Sequence, residues 1–442
     1  MTLTLWLGEL PHKAVSGQQS AVSRQAIGTG QGAATAVVVR RTKMRIAGVV
    51  VAALTVTLGV HPAYASGLTE VTAAAETAPN WDDEAGGDAN ADDPAIWVDQ
   101  KNPGRSVVLG TLKNGGLTVF DLTGKQVQRF ATPPAPEEGQ EPGRFNNVDI
   151  VGNLAVVTDR GRDQLRTYAI KNGRLTDVTS DRAPLVFSKN REEVQDQHTA
   201  YGLAATSIKG QPVVAVTRRS ETRVAFLRLV PDGRGKTTYQ TVWYVDLPAS
   251  FKLSNGTTWS PCEEPGDRPQ LEGMVFDRTT NDLYAAQEDV GIWRIPQHGM
   301  PELLEKVREF GQKAVYNEQT EECEAAGPVS PDAGKHLSAD AEGLTIAYEH
   351  GRRTLYASSQ GDSTFASYRM DGRRLVYRSG FEVVDGPAAD GVQHSDGAAV
   401  TTEPLGARFP HGLFAVHDGD NTPGDGDREG TNFKLVRLEK LP

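Results

Sequence analysis

Short apolar stretches separated by polar turns recur along most of the chain. Six times, an apolar run ends in a polar residue and is followed, after a turn, by a second apolar run. The first runs are residues 107–113, 155–160, 213–219, 283–288, 355–360 and 413–418. The second runs are residues 117–122, 164–170, 223–229, 291–295, 365–370 and 432–438. Turns such as Asn172-Gly173 and Asp371-Gly372 are typical of β-hairpins. The pattern therefore predicts six hairpins.

A third short apolar stretch, introduced by a polar residue, precedes each hairpin. These stretches are residues 93–97, 149–151, 201–203, 272–274, 342–346 and 396–400. Residues 66–442 thus divide into six units of roughly 60 residues. Repeated units of short strands favour a β-propeller. We predict an all-β fold: one domain over residues 66–442, a six-bladed β-propeller of four- to five-stranded antiparallel blades. A β-sandwich is the alternative, and residues 301–310 show the one helix-like pattern.

The N-terminal segment has the order of a secretory signal. Arg40, Arg41, Lys43 and Arg45 precede an uncharged, mostly apolar run of 15 residues, 46–60. Ala63-Tyr64-Ala65 then forms a small-x-small cleavage site. We expect residues 1–65 to be an N-terminal extension and signal peptide cleaved near Ala65, and the protein to be secreted. A membrane anchor is the alternative, but the run is short for a span.

Composition and charge exclude several classes of protein. The 442 residues carry a net charge of −11, and hydrophobic residues make up 38% of them. Residues 1–65 hold six Lys/Arg and one acid, so the remainder has 40 basic and 56 acidic residues, a net charge of −16. A chain this acidic lacks the basic face of a nucleic-acid binder, and its apolar content is too high for a disordered chain. We expect no nucleic-acid partner and, after signal cleavage, no membrane association.

The repeats place polar residues in register, and equivalent residues of successive blades lie around one axis. The residues that end the first runs are Lys113, Arg160, Arg219, Glu288, Gln360 and Asp418. Those that introduce the preceding stretches are Asp93, Asp149, Tyr201, Glu272, Glu342 and Asp396. One arc is basic, and the rest is mainly carboxylate and amide. Any single acid could simply be a turn former.

Oxygen ligands without a matching His/Cys set suit Ca²⁺ better than Zn²⁺ or Cu²⁺. The basic arc suits an oxyanion such as phosphate. Together these features predict a metal-assisted phosphoryl hydrolase in which water is the nucleophile. Two alternatives remain open: a metal-dependent propeller lactonase or esterase, and a non-enzymatic binding propeller stabilised by calcium.

The same residues resemble the β-propeller phytases, from about Glu70 to the C-terminus. The matching motifs are short, but their order and number make the resemblance specific. They include Asp92-Asp-Pro-Ala-Ile-Trp97, Asn146-Asn-Val-Asp-Ile150, Leu271-Glu-Gly-Met274, Ala339-Asp-Ala-Glu-Gly343 and Pro410-His-Gly-Leu-Phe414. The resemblance implies a secreted, calcium-dependent enzyme that removes phosphate from myo-inositol hexakisphosphate (phytate) or other inositol phosphates. We expect a 3-phytase type of activity, several calcium ions and a monomer.

The resemblance also implies roles for individual residues. Phosphate contacts would come from Lys113, Arg160, Tyr201 and Arg219. Calcium ligands would be Glu76, Asp92, Asn147, Asp149, Glu272, Glu288, Asp340, Glu342, Gln360, Asp390 and Asp396. Asp93 and Asp418 are further candidates, for structural ions. The family typically has lysine where Arg219 stands and often a second lysine at Asn114, so phosphate geometry and affinity are expected to differ here.

Cys262 and Cys323 are the only two cysteines. In an exported protein two cysteines predict one disulfide, which here would tie neighbouring blades near the proposed site. Two free thiols in surface insertions are the alternative.

Overall fold

The computed structural model describes residues 67–81, 90–425 and 428–442. The predicted N-terminal extension and signal peptide, residues 1–65, lie outside the described residues. No helix in the described ranges is long and apolar enough to cross a membrane.

The described residues form a six-bladed β-propeller, which confirms the predicted fold class. Three short strands come first: β1 (Thr69–Thr72), β2 (Ala75–Glu76) and β3 (Asn80–Trp81). Blade 1 comprises β4 (Pro94–Trp97), β5 (Val107–Thr111), β6 (Leu117–Asp121) and β7 (Gln126–Phe130). Blade 2 comprises β8 (Phe145–Val151), β9 (Leu154–Asp159), β10 (Gln164–Lys171) and β11 (Arg174–Asp177). Blade 3 comprises β12 (Ala200–Ile208), β13 (Gln211–Arg218), β14 (Arg223–Pro231) and β15 (Thr237–Asp246).

The second half of the chain adds two extra hairpins to its blades. A small hairpin, β16 (Phe251–Lys252) and β17 (Thr258–Trp259), precedes blade 4. Blade 4 comprises β18 (Leu271–Phe276), β19 (Leu283–Gln287), β20 (Gly291–Ile295) and β21 (Glu302–Lys306). A second hairpin, β22 (Ala314–Asn317) and β23 (Glu322–Ala325), precedes blade 5. Blade 5 comprises β24 (Ala341–Glu349), β25 (Arg352–Ser359), β26 (Thr364–Asp371) and β27 (Arg374–Val384). Blade 6 comprises β28 (Ala398–Thr401), β29 (Leu413–Asp418) and β30 (Gly430–Arg437).

Helical structure is minor. Within the described ranges there is one short α-helix, α1 (Arg191–Val194), and there are three 3-10 turns (Pro103–Arg105, Gln360–Asp362 and Leu438–Lys440). The helix-like pattern of residues 301–310 does not correspond to a helix, because residues Glu302–Lys306 of this segment form the outer strand β21.

The innermost strand of each blade contacts those of both neighbours: β4, β8, β12, β18, β24 and β28 form a closed ring. Behind them, the second strands are packed between neighbouring blades. The strand β5, for example, is buried at every residue. Burial on both faces explains why these strands appear in the sequence as continuous apolar runs. Successive hydrophobic clusters fill the spaces between the blades.

The N-terminal strands close the ring. Strand β1 pairs in parallel with β27 at the edge of blade 5, so this one blade is not wholly antiparallel. Strands β2 and β3 pair antiparallel with β30, and thus the start of the chain completes blade 6.

Cys262 and Cys323 form a disulfide, as predicted. The bond joins the loop before blade 4 to strand β23 of the second extra hairpin. In the chain-entropy view a disulfide between residues 61 positions apart in the sequence contributes roughly 4 kcal/mol to stability. Such a bond is typical of proteins in oxidising, extracellular compartments.

Candidate active site

A β-bulge recurs at the same position in the innermost strand of blades 2 to 5. A bulge places two residues opposite one and re-aims their side chains. Blades 1 and 6 have equivalent positions two residues before the paired residues Pro94 and Ala398. The six residues at these positions, here called the bulge ring, are Asp92, Asn146, Tyr201, Glu272, Glu342 and Asp396.

Glycines let the bulges of neighbouring blades contact one another. A Cβ on Gly202 would lie 2.1 Å from the carbonyl oxygen of Glu272, and one on Gly273 would lie 2.2 Å from that of Glu342. Only glycine fits at such an approach. The Gly residues that follow Tyr201 and Glu272 therefore set the spacing of the bulge-ring side chains.

A second set of side chains stands where the second strands end. We call it the strand-end ring: Lys113, Arg160, Arg219, Glu288 and Gln360. Each lies three residues after the second-strand residue that pairs with the innermost strand just past the bulge. In blade 2, for example, Val157 pairs with Val148, and Arg160 lies three residues after Val157. Gly419 occupies this position in blade 6. The ring is basic in blades 1 to 3 and carboxylate or amide in blades 4 and 5.

Carboxylates concentrate where blades 4 and 5 meet. Glu272, Glu288 and Glu342 are buried, and each offers an oxygen within 4.8 Å of the oxygens of the other two. Burial raises the pKa of Glu342 well above its usual value, and the charges of Glu272 and Glu288 raise it further. Burial also raises the pKa of Glu288, with added effects from Asp340 and Glu272. The three carboxylates therefore resist ionising together unless a cation joins them.

Three buried oxygens of this region accept no hydrogen bond within the described residues: Asp92 Oδ1, Glu288 Oε1 and Glu342 Oε2. Buried polar atoms normally have partners, so the unpartnered oxygens of Glu288 and Glu342, which share one cluster with Glu272, suit a positively charged ligand. The donors are all oxygens, which suits a hard cation such as Ca²⁺.

Basic side chains border the carboxylates. Lys113 Nζ lies 3.5 Å from Asp92 Oδ2 and 3.9 Å from Asp396 Oδ2. Burial alone would lower the pKa of Lys113, but Asp92 and Asp396 outweigh it and raise the pKa. Arg160 donates from Nη1 to Asn146 Oδ1 at 3.0 Å, and its Cζ lies 5.6 Å from the centre of the Tyr201 ring. A cationic surface thus lies beside the anionic group.

Tyr201 and the other predicted ligands of this region also lie close to the carboxylates of Glu272, Glu288 and Glu342. Burial raises the pKa of Tyr201 well above its usual value, and the charges of Glu272 and Glu288 add to the effect. Gln360 donates to Asp396 from its side-chain nitrogen. Burial and the charges of Asp396 and Glu272 raise the pKa of Asp340 to about 6. Asn147 is buried, and its side-chain amide faces Asn146 and Glu272.

The observed register differs from the predicted rings in three blades. Asp92 and Asn146 occupy the places predicted for Asp93 and Asp149. Asp93 accepts from the Val148 N–H at 3.0 Å. Asp149 accepts from Ala205 N at 2.6 Å and Ile150 N at 2.7 Å, while burial raises its pKa to about 6. Both acids line the central channel, where backbone donors rather than a neighbouring cation satisfy them.

Asp418 lies one residue short of the strand-end ring and belongs to a separate group, together with Glu76 and Asp390. All three carboxylates surround the fully buried side chain of Lys434. Lys434 Nζ is 2.6 Å from Glu76 Oε2 and 3.1 Å from Asp418 Oδ2, and it also contacts Asp390. Burial acts to raise the pKa of Asp390, but hydrogen bonds from Lys434 and Thr422 hold it below its usual value. We call this set the Lys434 group.

Sequence reasoning missed three further residues of the region. Asn146 stands in a quoted motif, and the bulge register is what gives it a role. His417 Nδ1 accepts from the Asp396 N–H at 2.9 Å, and burial lowers its pKa to about 3. Arg144 adjoins the basic side chains: burial, Arg160 and Arg219 lower its pKa to about 10. No spacing in the sequence marks the last two.

A cleft of about 750 Å³ opens beside the carboxylates. Arg219, Glu288 and Asp340 line one side, and the disulfide and the hairpin β22–β23 line the other. Its volume falls within the range of small-molecule sites.

Comparison with known proteins places this chain in a family. The phytase family model matches residues 41–240 and 267–442. A 3-phytase from Bacillus subtilis (strain 168) is 32% identical over 387 residues, covering 84% of each chain. Among solved structures, regucalcin, a calcium-binding protein from Agrobacterium tumefaciens, gives a TM-score of 0.43 at 12% identity, covering 84% of this chain and 96% of that one. The PQQ-bound aldose sugar dehydrogenase from Streptomyces coelicolor gives a TM-score of 0.39 at 12% identity, covering 83% and 98%.

Proposed function

The chain belongs to the phytase family, and we propose that it hydrolyses phosphomonoesters of phytate, in a calcium-dependent reaction, at the mouth formed by the bulge ring and the strand-end ring. One observation carries the proposal: the buried carboxylates with unpartnered oxygens, Asp92, Glu288 and Glu342, stand in the same two rings as Lys113 and Arg160, and Lys113 Nζ lies 3.5 Å from Asp92 Oδ2. A metal-dependent hydrolase of phosphate esters uses this combination, because both the substrate and the carboxylates are negatively charged.

We propose that Glu272, Glu288 and Glu342 hold calcium, with Asp92, Asp340, Asp396, Gln360 and Asn147 as further ligands around them. Calcium bound there would neutralise phosphate charge and lower the pKa of a coordinated water. Asp93 and Asp149 already have backbone donors, so we assign them a weaker part. The Lys434 group has three carboxylates and one ammonium, and its residual negative charge would suit an additional structural ion.

The basic residues act on the substrate itself. Lys113, Arg160 and Arg219 would bind phosphoryl oxygens and stabilise the charge that develops on them during transfer. Tyr201, kept protonated by its raised pKa, would donate a hydrogen bond to the same phosphate. In this proposal water attacks the phosphorus atom and no covalent phospho-enzyme forms. Both cysteines are in the disulfide, and the His417 Nδ1 accepts a hydrogen bond from the Asp396 N–H, so neither is offered as a nucleophile.

Secretion and a monomeric state belong to the same proposal. The disulfide supports an extracellular location. The six blades are closed by strands of this one chain, so completion of the propeller requires no partner.

The test is phosphate release from phytate by purified protein before and after removal of calcium. We expect activity to vanish with a chelator and to return with added calcium. Full activity in calcium-free protein would refute the metal requirement. A calcium-dependent protein that releases no phosphate would instead be a binding propeller. The alternative of a lactonase predicts that Lys113→Ala and Arg160→Ala leave activity intact, whereas we expect losses of about 100-fold.

A further inference from the structure

Arg144 lies between two members of the strand-end ring, Lys113 and Arg160. Its carbonyl accepts a hydrogen bond from the Arg160 N–H at 2.8 Å. The N–H of the next residue, Phe145, donates to the Lys113 carbonyl at 3.1 Å. The Arg144 N–H itself donates to Asp159 Oδ1 at 3.0 Å. These bonds fix the backbone of Arg144 on the side of the mouth where the ring is basic.

The same backbone path reaches the third basic residue of the ring. The Thr199 hydroxyl donates to the Arg160 carbonyl at 2.6 Å, and the Arg219 N–H donates to the Thr199 carbonyl at 2.9 Å. The basic residues of this region are therefore held on one hydrogen-bonded support: Lys113, Arg144, Arg160 and Arg219. A support that is fixed before the ligand arrives lowers the entropic cost of binding.

The Arg144 side chain also extends toward this group. Its Nη1 lies 3.5 Å from Oδ1 of Asn114, the residue that follows Lys113. Burial lowers the pKa of Arg144 to about 10, and the neighbouring charges of Arg160 and Arg219 contribute to the shift. An anion that bonds to several such guanidinium groups relieves their mutual repulsion.

Arg144 stands nearer to solvent than the bulge ring does. It immediately precedes β8, and Asn146, the bulge-ring residue of this blade, follows it by two residues. Asn146 is fully buried, whereas Arg144 is half-buried. Two residues of extended chain span roughly 6–7 Å. Arg144 is thus placed at the outer edge of the mouth, where the parts of a substrate beyond the reacting phosphate would lie.

From this arrangement we infer that Arg144 is a further substrate-binding residue: it bonds a phosphate group at the outer edge of the mouth and contributes to affinity more than to the chemical step. The inference rests on the proposed function, since it concerns the substrate of the same site. A planar guanidinium can donate two parallel hydrogen bonds to one phosphate. Binding of a group that does not react lowers KM without raising kcat.

The test variant is Arg144→Gln, with Arg144→Lys as the conservative change. The probe is myo-inositol hexasulfate, a polyanion without phosphate esters, titrated calorimetrically into the protein in a buffer that contains calcium. We expect its Kd to rise about tenfold in Arg144→Gln, because a charge-assisted hydrogen bond is lost. In Arg144→Lys, which keeps the charge but not the paired donors, the rise should be about threefold. The KM for phytate should also rise about tenfold in Arg144→Gln, while kcat falls by less than about twofold.

The matched control is Arg162→Gln, which removes the same charge from the same blade. The Arg162 Nη1 donates to Pro134 O at 2.9 Å, in the loop that follows blade 1. This control should bind hexasulfate with a Kd within about twofold of the wild type. An unchanged Kd in Arg144→Gln, or an equal rise in the control, would overturn the inference. If Arg144→Gln does not fold, an unchanged Kd in Arg144→Lys would overturn it.

The same measurements separate this inference from the proposed function. Absence of phytate hydrolysis in the wild type would overturn the proposed function, and the calorimetric comparison of Arg144→Gln with Arg162→Gln would still stand.

Discussion

Two groups of carboxylates in this propeller have similar composition and opposite electrostatics. In the Lys434 group, the ammonium of a fully buried lysine lies among Glu76, Asp390 and Asp418. At the junction of blades 4 and 5, Glu272, Glu288 and Glu342 converge with no ammonium or guanidinium among them, and two of them keep unpartnered oxygens. The first group carries its own counter-ion; the second needs one from outside. A carboxylate thus has a structural role where a side-chain ammonium pairs with it, and it can bind a metal ion where no such side chain does.

Removing the internal counter-ion should have the largest effect. Lys434→Met leaves Glu76, Asp390 and the fully buried Asp418 without their shared cation. We expect the free energy of unfolding to fall by about 3–5 kcal/mol, as when one partner of a buried ion pair is removed. Urea unfolding in the presence of a chelator measures it. A loss below about 1 kcal/mol would mean that Lys434 does not balance the group. If added calcium restored the full unfolding free energy of the variant, the Lys434 group would depend on an external cation just as the Glu272, Glu288 and Glu342 group does.

Removing one charge from the Glu272, Glu288 and Glu342 group should lower activity but raise the stability of the calcium-free protein. Glu342→Gln should lower kcat/KM for phytate about 100-fold, because a ligand is lost. It should also raise the unfolding free energy of calcium-free protein by about 1 kcal/mol, because repulsion by Glu272 and Glu288 is relieved. The control is Glu349→Gln, at the exposed end of the same strand β24. A fall in calcium-free stability would show that the three carboxylates do not repel one another.

Asp149 provides an intermediate case, because backbone N–H groups are its partners. Burial raises its pKa to about 6, so the folded protein holds a proton that the unfolded chain has released. Its contribution to stability is thus present in acid and is lost as the pH rises through 6. Between about pH 5 and about pH 7.5, calcium-free wild type should lose about 1.4 kcal/mol more stability than Asp149→Asn. Parallel curves for the two proteins would contradict the raised pKa.

The sequence predicts the strands well and their exact register poorly. The second strands are buried on both faces, so their apolar runs stand out, and all six were located. The bulges of blades 2 to 5 insert residues that no alternation reveals, so Asn146 occupies the place predicted for Asp149. In blade 1 the prediction is one residue off, and Asp92 stands where Asp93 is expected. A similar offset of one residue assigned Asp418 to the wrong ring. The outer strand β21 is half-buried throughout, and its weak pattern resembled a helix.

Long-range partnerships were beyond the sequence. Lysines rarely occupy fully buried positions, so the sequence near Lys434 does not indicate that three carboxylates contact its ammonium group. Strands β2 and β3 are two residues each, too short for a pattern. By contrast, the basic arc and the disulfide were predictable, because a six-fold repeat and a count of two cysteines each restrict the possibilities.

The closure by β2 and β3 has a consequence for how the molecule is made. Asn80 bonds to Thr431, a residue 351 positions away in the sequence. Bringing such distant ends together costs about 5 kcal/mol of chain entropy before any contact compensates for it. Blades 1 to 5 contain all their antiparallel strands as the chain emerges, but blade 6 waits for both ends. The propeller therefore closes only after β30 has been made. A circular permutant cut between two inner blades would move that last joint without changing the site.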